Sequence, residues 1–427
     1  MLQFPRMCDV RQRFDTTCLD DIVGTVHQQL ASLQLQDRIR PGHTVAVTAG
    51  SRGIANIPVI LKAAIDHLRT LGAEPFIVPA MGSHGGGTVT GQLEVLHGLG
   101  ITSQSVGAEI RATMETVVVA QTANGIPVHF DRYAHDADHV LVVNRIKPHT
   151  RFIGPIESGL HKMMLIGLGK HAGAEVYHKG ILAYSFSQMI EWVAERVLQT
   201  CGIVGGLAIL ENAQDQTAMI EAVAPEHFAV REPELLKQAV RWLPTLPFAE
   251  ADLLIIDRIG KNISGAGMDA NVVGRKYNDH SGTSNDTANC LRIFIRGLTQ
   301  ESHGNGTGIG MSEFTTQRCV DQIDPVKTRT NCITAIHPEA AMIPITFDTD
   351  AEAVAAALQT IGMVAPQNAR IIQIQDTLHL TTTRVSEAFF PLVEASDRLE
   401  MIGSPYDFPV DADGWMTDVS ASEGVPV

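Results

Sequence analysis

Short β-branched runs alternate with helix-period stretches through the first half of this chain. A helical pattern near Leu19 to Leu35 is followed by a strand pattern at Thr44 to Thr48. A second helix is expected to open at Pro58. Its apolar set, Ile57, Ile60, Leu61, Ala64, Leu68 and Leu71, has the spacing of one buried face, and Gly72 is placed to end it. Further strands are expected at Pro75 to Pro79, Glu115 to Ala120, His139 to Asn144 and Ile203 to Leu210, the last after a helix at Met189 to Leu198. This rhythm predicts a mostly parallel sheet with helices on both faces.

The rhythm breaks at Arg-Trp-Leu-Pro-Thr-Leu-Pro-Phe, residues 241–248, and a new strand is expected at Asp252 to Asp257. Later strands are expected near Leu291 to Arg296, Ile343 to Phe347 and Arg370 to Gln375. A helix at Ala351 to Ile361 is signalled by the capping-box pair Thr349 and Glu352. The reading is therefore an α/β protein of two domains. Residues 1–247 form a mostly parallel sheet with flanking helices, and residues 248–427 form a smaller α/β domain, with an active site expected at the domain interface. An arrangement in which the last segment packs back on the first domain stays open.

Composition narrows the class. Forty-four per cent hydrophobic residues, 19% charged residues and 37 glycines describe a loop-rich globular protein. The net charge of −15, with no dense Lys/Arg run, argues against nucleic acid as a partner. The six cysteines show no CxxC spacing and are expected as reduced core thiols. The opening segment lacks an apolar signal core, and no stretch approaches the ~20 apolar residues of a membrane span, so a cytoplasmic protein without a membrane partner is expected.

Candidate chemistry sits in loops that follow apolar strands, where open α/β sheets place ligands. Arg52, in Ala-Gly-Ser-Arg-Gly, could fork onto a carboxylate or phosphate, or serve as a surface salt-bridge residue. The loop Gly82-Ser-His84-Gly85-Gly86-Gly87-Thr88 would let backbone approach a ligand and leave N–H groups for an anion, with His84 as an acid/base candidate; a flexible turn is the alternative. Between Arg145 and His178 lie four histidines and five Lys/Arg residues. Such a mixture suits anion binding, metal ligation or proton transfer. Met163 to Ile166 resembles a short strand, and Gly167-Leu-Gly169 with Gly173 approximates a dinucleotide fingerprint, although the spacing is GxGxxxG. In the second domain, Gly260-Lys261 through Asp269 and Asn271 to Arg275, and Ser302-His303-Gly304, are polar loops suited to closing a pocket.

The order of these motifs resembles the lactate racemase family, whose members carry a nickel-pincer nucleotide. The likeness covers Arg52 after an early strand, His84 in its glycine loop, Pro148-His149, Lys162, and His178 sixteen positions further on. It implies a racemase or epimerase acting on a 2-hydroxy acid. Lys162 would be joined covalently to the pyridinium bis-thio mononucleotide, and His178 would ligate its Ni²⁺. His84 and His149 would be the acid/base pair, and Arg52 would hold the substrate carboxylate. Lys261, Arg275 and His303, from the second-domain loops, are further substrate-contact candidates, with ordinary loop residues the alternative for Lys261 and His303. Gly85, Gly86, Gly87, Ser158 and Gly159 would line the cofactor. Implied partners are a small anionic 2-hydroxy acid and the proteins that make the cofactor; oligomerisation is left open. The chain departs from lactate-specific members at Ala49, where they have aspartate, in an extra acid, Glu157, and at Val273 and Gly274, where they have tyrosine and glutamine. These departures favour a sugar acid or hydroxy diacid over lactate.

Two other readings remain at this level. One is an NAD-dependent 2-hydroxyacid dehydrogenase using the Gly167 to Gly173 turn; the other is a non-catalytic anion-binding protein. His161, Lys170 and His171 also compete in sequence with the assigned residues, and His171 could exchange roles with His178.

Overall fold

The computed structural model describes residues 3–419, Leu182 by its backbone alone, and divides them into two compact units. One is Asp15–Leu243; the other joins the described residues up to Phe14 with those from Pro244 onward. The first strand, β1 (Met7–Gln12), belongs to the second unit and is taken up there.

The Asp15–Leu243 unit is built on five strands, β2 (Thr44–Ala49), β3 (Glu74–Pro79), β6 (His139–Arg145), β7 (Ile203–Glu211) and β8 (Thr217–Val223). Their order is β3-β2-β6-β7-β8; all pairings are parallel except the antiparallel edge β7/β8. Apolar residues on successive positions reach opposite cores. Val45 and Val47, with Leu141 and Val143, belong to one, whereas Ala46, Val140 and Val142 belong to the other. Burial on both faces explains the unbroken apolar runs. The helix Ile57–Thr70 buries Ile57, Ile60, Leu61, Ala64 and Leu68 and is followed by Gly72 at φ +79°, as its pattern predicts.

Two expectations change in this unit. The strand expected over Glu115 to Ala120 lies outside the main sheet: β4 (Thr116–Gln121) pairs with β5 (Pro127–Asp131) in a separate antiparallel ribbon. Its half-exposed pattern suits a ribbon better than a doubly covered strand. Met163 to Ile166 is not a strand but part of a π-helical turn, Met163–Gly167, in which Leu168 N–H donates to Met163 C=O at 2.8 Å. An apolar run buried on nearly every side carries no period to separate strand from helix. With no strand before it and Gly173 inside the helix Lys170–Ala183, the Gly167 to Gly173 turn is not a dinucleotide loop.

The second unit has one mixed sheet of β1, β9 (Glu250–Ile256), β10 (Asn289–Ile295), β11 (Phe314–Thr316), β12 (Ile345–Phe347), β13 (Ile371–Ile374), β14 (Thr382–Ser386) and β15 (Leu399–Tyr406). Strands β12-β11-β10-β9-β13 run parallel, and β14-β1-β15 continue antiparallel. The helix Asp350–Leu358 carries the expected capping box of Thr349 and Glu352. Residues up to Phe14, expected in the first domain, belong here because Val10 and Met7 enter the cores on the two faces of this sheet. The segment ending at Val419 also packs on its own unit: Met416 lies in the core with Val354, and its carbonyl accepts from Arg296. Among the described residues no helix is long and apolar enough to cross a membrane.

Candidate active site

Arg52, His84 and His149 lie on the chain just beyond β2, β3 and β6, three adjacent parallel strands, so topology alone brings their loops to the carboxyl edge of one sheet. The glycine loop is shaped by close approach. Gly85 has φ +65°, and a Cβ there would fall 2.4 Å from the Gly91 carbonyl carbon. Part of the loop's polarity is used internally: Gly87 N–H donates to Ser83 C=O at 3.0 Å, and Thr88 caps the following helix by accepting from Gly91 N–H. The Gly87 and Gly91 N–H groups are thus taken up within the loop and its cap.

A buried network holds the loop. Gln92 Nε2 donates to Gly82 C=O at 2.9 Å, while Lys170 Nζ donates to Gln92 Oε1 at 2.7 Å and to Pro79 C=O at 2.8 Å. Asp131 lies 3.3 Å from the same ammonium, close enough to pair in charge but not aligned as a hydrogen bond. Burial pushes the Lys170 pKa down and Asp131 opposes it. Within the loop, the His84 ring donates from Nδ1 to Met81 C=O at 2.8 Å.

Past β6 the chain is pinned residue by residue. Asn144 Nδ2 donates to Gly159 C=O at 2.8 Å, and Arg145 pairs with Glu211 at the end of β7. Ser158 Oγ accepts from Lys147 N–H at 2.8 Å and donates to Lys147 C=O. Gly159 takes φ +84°, with the Glu232 carboxylate where a Cβ would be. Ser158 and Gly159 thus tie the turn before Lys162 to the His149 segment. His149 N–H donates to Glu157 Oε2 at 2.8 Å, and its ring Nδ1 accepts from the N–H groups of Arg151 and Phe152, each at 3.1 Å. The ring stacks on Phe152 at 4.2 Å, and Phe152 stacks on Phe186 at 3.8 Å.

Lys162 lies beside this stack, its Nζ 5.6 Å from the Phe152 ring centroid. Burial, then the Arg52 charge, lowers its pKa to about 7, with Glu157 opposing. Arg52 is exposed and has no ion-pair partner among the described residues; crowding by neighbouring atoms, then the Arg145 charge, lowers its pKa. That counts against the surface salt-bridge alternative. His178, half-buried on the helix Lys170–Ala183, is pushed down by burial and then by Lys162. An amine and an imidazole held toward their neutral forms can attack an electrophile and ligate a metal. These residues therefore fit a pincer nucleotide tethered at Lys162 and ligated at His178. Among the described residues no three His, Cys, Asp or Glu form a cation site, so a metal here would draw its other ligands from a cofactor.

The competing residues go elsewhere. His161 is buried with its Nδ1 2.5 Å from Glu232 Oε2, Lys170 is the structural cation just described, and His171 is exposed with its ring against Gly87. In the second unit, Lys261 Nζ donates to Gly265 C=O at 2.5 Å, and His303 occupies a left-handed turn at φ +48°. Arg275, expected at substrate, is only 1% exposed and lies 3.4 Å from Glu313, which makes it an interior residue. Gln92, Glu211, Phe152 and Phe186 escaped the sequence reading. Only the last two carried a signal, as aromatics flanking a histidine-rich segment in a chain with 5% aromatic residues.

A parallel α/β unit with polar residues at its strand ends, joined to a second α/β unit, defines the class of protein. The particular likeness is to the lactate racemase apoprotein from Thermoanaerobacterium thermosaccharolyticum, with a TM-score of 0.53 at 14% identity over 87% of this chain and 94% of that one. The chain has a lactate racemase-like fold. A Thermotoga maritima structure matches at a TM-score of 0.47 and 13% identity, over 77% of this chain and 84% of that one. No protein-family model matches the sequence, and no curated protein matches it.

Proposed function

We propose that this protein is an isomerase that inverts the C2 carbon of a small anionic 2-hydroxy acid, with a sugar acid or hydroxy diacid preferred to lactate. The observation that carries the reading is Lys162, a lysine with a pKa near 7 beside the unpaired Arg52. When bound, a nickel-pincer nucleotide would supply a hydride acceptor for the hydrogen on C2. Lys162 would hold it covalently and His178 would ligate its Ni²⁺. Arg52 would take the substrate carboxylate, since an unpaired guanidinium beside two other cations gains most from an anion. His84 and His149 would handle the hydroxyl proton, and the stacked Phe152 and Phe186 would keep water from that side. Loading would require the cofactor-making proteins of a cytoplasmic host.

The test is the intact mass of denatured protein from a host that makes the cofactor, with peptide mapping. A nucleotide-sized adduct on Lys162 is the expected result. Unmodified Lys162 in that host would overturn covalent tethering and favour an anion-binding protein without catalysis.

A further inference from the structure

Lys162 is the last residue of a short helical turn, Gly159–Lys162, that runs straight into the π turn Met163–Gly167. The start of a helical segment leaves N–H groups without partners inside that segment. Ser158 stands where a capping side chain would accept from one of them, but its hydroxyl is committed to Lys147 and makes no cap. The acceptor comes instead from 71 residues further along the chain. Glu232, on the helix Phe228–Trp242, accepts through Oε2 from His161 N–H at 3.2 Å and from His161 Nδ1–H at 2.5 Å. His161 directly precedes Lys162, so one carboxylate oxygen fixes both the backbone and the side chain of the residue leading into the lysine.

The contact is closed on every side that the structure describes. The Glu232 and His161 side chains are 1% and 4% exposed. The His161 ring meets Phe228 edge-on at 6.0 Å, and on β7 a Cβ at Gly206 would fall 2.5 Å from Leu160 and 2.7 Å from Phe228. Glu232 Oε1 has no hydrogen-bond partner among the described residues and lies against Gly159. Burying a carboxylate is costly, and this enclosure uses only one of its two oxygens. The charges that bear on Lys162 are those of Arg52 and Glu157, and Glu232 is not among them. Its hold on the lysine runs through the chain. A lysine amine sits on a flexible four-carbon stem, so where it points depends on how firmly its backbone is held.

We propose that Glu232 is a positioning residue: through His161 it holds the turn from which Lys162 is presented to the cofactor it would tether. The inference rests on the reading of Lys162 as the tethering residue.

Three roles for Glu232 predict different changes in the pH midpoint of Lys162 acylation, read by peptide mass in cofactor-free protein. A positioning role predicts a rise when the acceptor is removed, because a loosened turn lets the ammonium reach water. A direct charge on Lys162 predicts a fall, because a carboxylate that favours the ammonium form has gone. A purely structural role predicts no change in the folded protein.

The experiment compares Glu232→Met, which keeps the length and removes the acceptor, with Glu232→Gln, which keeps an amide oxygen for both His161 donors. Folding of each is checked by circular dichroism. We expect Glu232→Met to raise the midpoint from about 7 by at least about one unit, which lowers acylation at pH 7 roughly fivefold, and Glu232→Gln to stay within about twofold of wild type. An unchanged midpoint in Glu232→Met, or a lowered one in either variant, would overturn the proposal. Should Glu232→Met fail to fold, Gly159→Ala pushes the carboxylate off His161 from the other side and carries the same expected rise; an unchanged midpoint there would overturn the proposal equally.

Protein from a host that makes the cofactor adds a second readout. The adduct on Lys162 should persist in Glu232→Gln and be reduced in Glu232→Met, and full occupancy in Glu232→Met would count against positioning. Absence of the adduct from wild type, with the acylation shift intact, would overturn the tethering reading while leaving Glu232 as the residue that positions Lys162.

Discussion

Lys170→Met is the sharpest perturbation of the scaffold behind the site. The Lys170 and Asp131 side chains are both 0% exposed, so removing the ammonium strands a carboxylate in the interior. It also removes donors from Pro79 C=O and Gln92 Oε1. Removing one partner of a buried ion pair costs about 3–5 kcal/mol. The chain has three tryptophans, and Trp192 and Trp242 both lie in the Asp15–Leu243 unit, so a Trp415→Phe background makes urea unfolding report on that unit. With a slope of about 3 kcal/mol/M, the midpoint should fall by roughly 1–2 M. Asp131→Asn added to Lys170→Met removes the stranded charge and should recover at least ~1 kcal/mol relative to additivity. Hydrogen exchange across Gly82–Thr88 should accelerate in Lys170→Met, because Gln92 then loses the group that orients it toward Gly82. A loss below ~1 kcal/mol, or a double variant equal to the sum of the singles, would refute the argument.

Three further outcomes follow from named groups. Burial holds His67, His129 and His139 below the ordinary imidazole value of 6.5, aided by His27 at His67 and by His43 at His139, where Asp138 opposes. As pH falls through 6.5 the unfolded chain gains protons before the folded one, so stability is retained above 6.5 and lost below it. Urea midpoints in the Trp415→Phe background should therefore be lower at pH 5.5 than at 7.5, and equal or reversed midpoints would contradict the assignment. In cofactor-free protein, acylation of Lys162 followed by peptide mass should be half-maximal near its pKa of about 7. Arg52→Met should move that midpoint up and Glu157→Gln down; a midpoint at the ordinary lysine value of ~10 would remove the basis for a neutral amine. Gly159→Ala places a methyl group against Glu232 at φ +84°, so it should cost more than the ~1 kcal/mol of a positive-φ alanine alone and should displace Glu232 from His161. A crystal structure of the variant with the Glu232–His161 contact intact would count against this.

How much of this could be read from the sequence depends on whether a feature is local. The helix Ile57–Thr70 and the capping box at Thr349 are local, and periodicity or a four-residue spacing sufficed. So were the strand-end positions of Arg52, His84 and His149, because a polar loop after an apolar run is visible without tertiary knowledge. Two kinds of feature were not local. Strand β1 pairs with β14 and β15, nearly the whole chain away, and nothing in Met7–Gln12 names those partners. The π turn at Met163–Gly167 is apolar because it is enclosed, and enclosure erases the period that would distinguish it from a strand. Gln92 was illegible for a related reason: a glutamine on a helix reads as solvent-facing until Lys170 arrives from far along the chain.

Lys162 and Lys170 show why residue type and spacing stop short of chemistry. They lie on one continuous segment, separated by the π turn, and either could be taken for the functional lysine. The fold gives Lys170 a carboxylate, an amide oxygen and a carbonyl, which oppose the burial that lowers its pKa, and its task is to hold Pro79 and Gln92 in place. It places Lys162 against Arg52 and an aromatic ring, with Glu157 as the opposing charge, and the ammonium form is the one penalised. A carboxylate and hydrogen-bond acceptors around a buried lysine oppose loss of its proton, whereas a neighbouring cation favours the neutral amine that can react. The difference is set by what reaches each side chain from β2, β5 and the helix bearing Gln92. For that reason the reactivity of this site is a property of the assembled sheet edge, and changes at Arg52 or Glu157 should alter the chemistry of Lys162 without touching Lys162 itself.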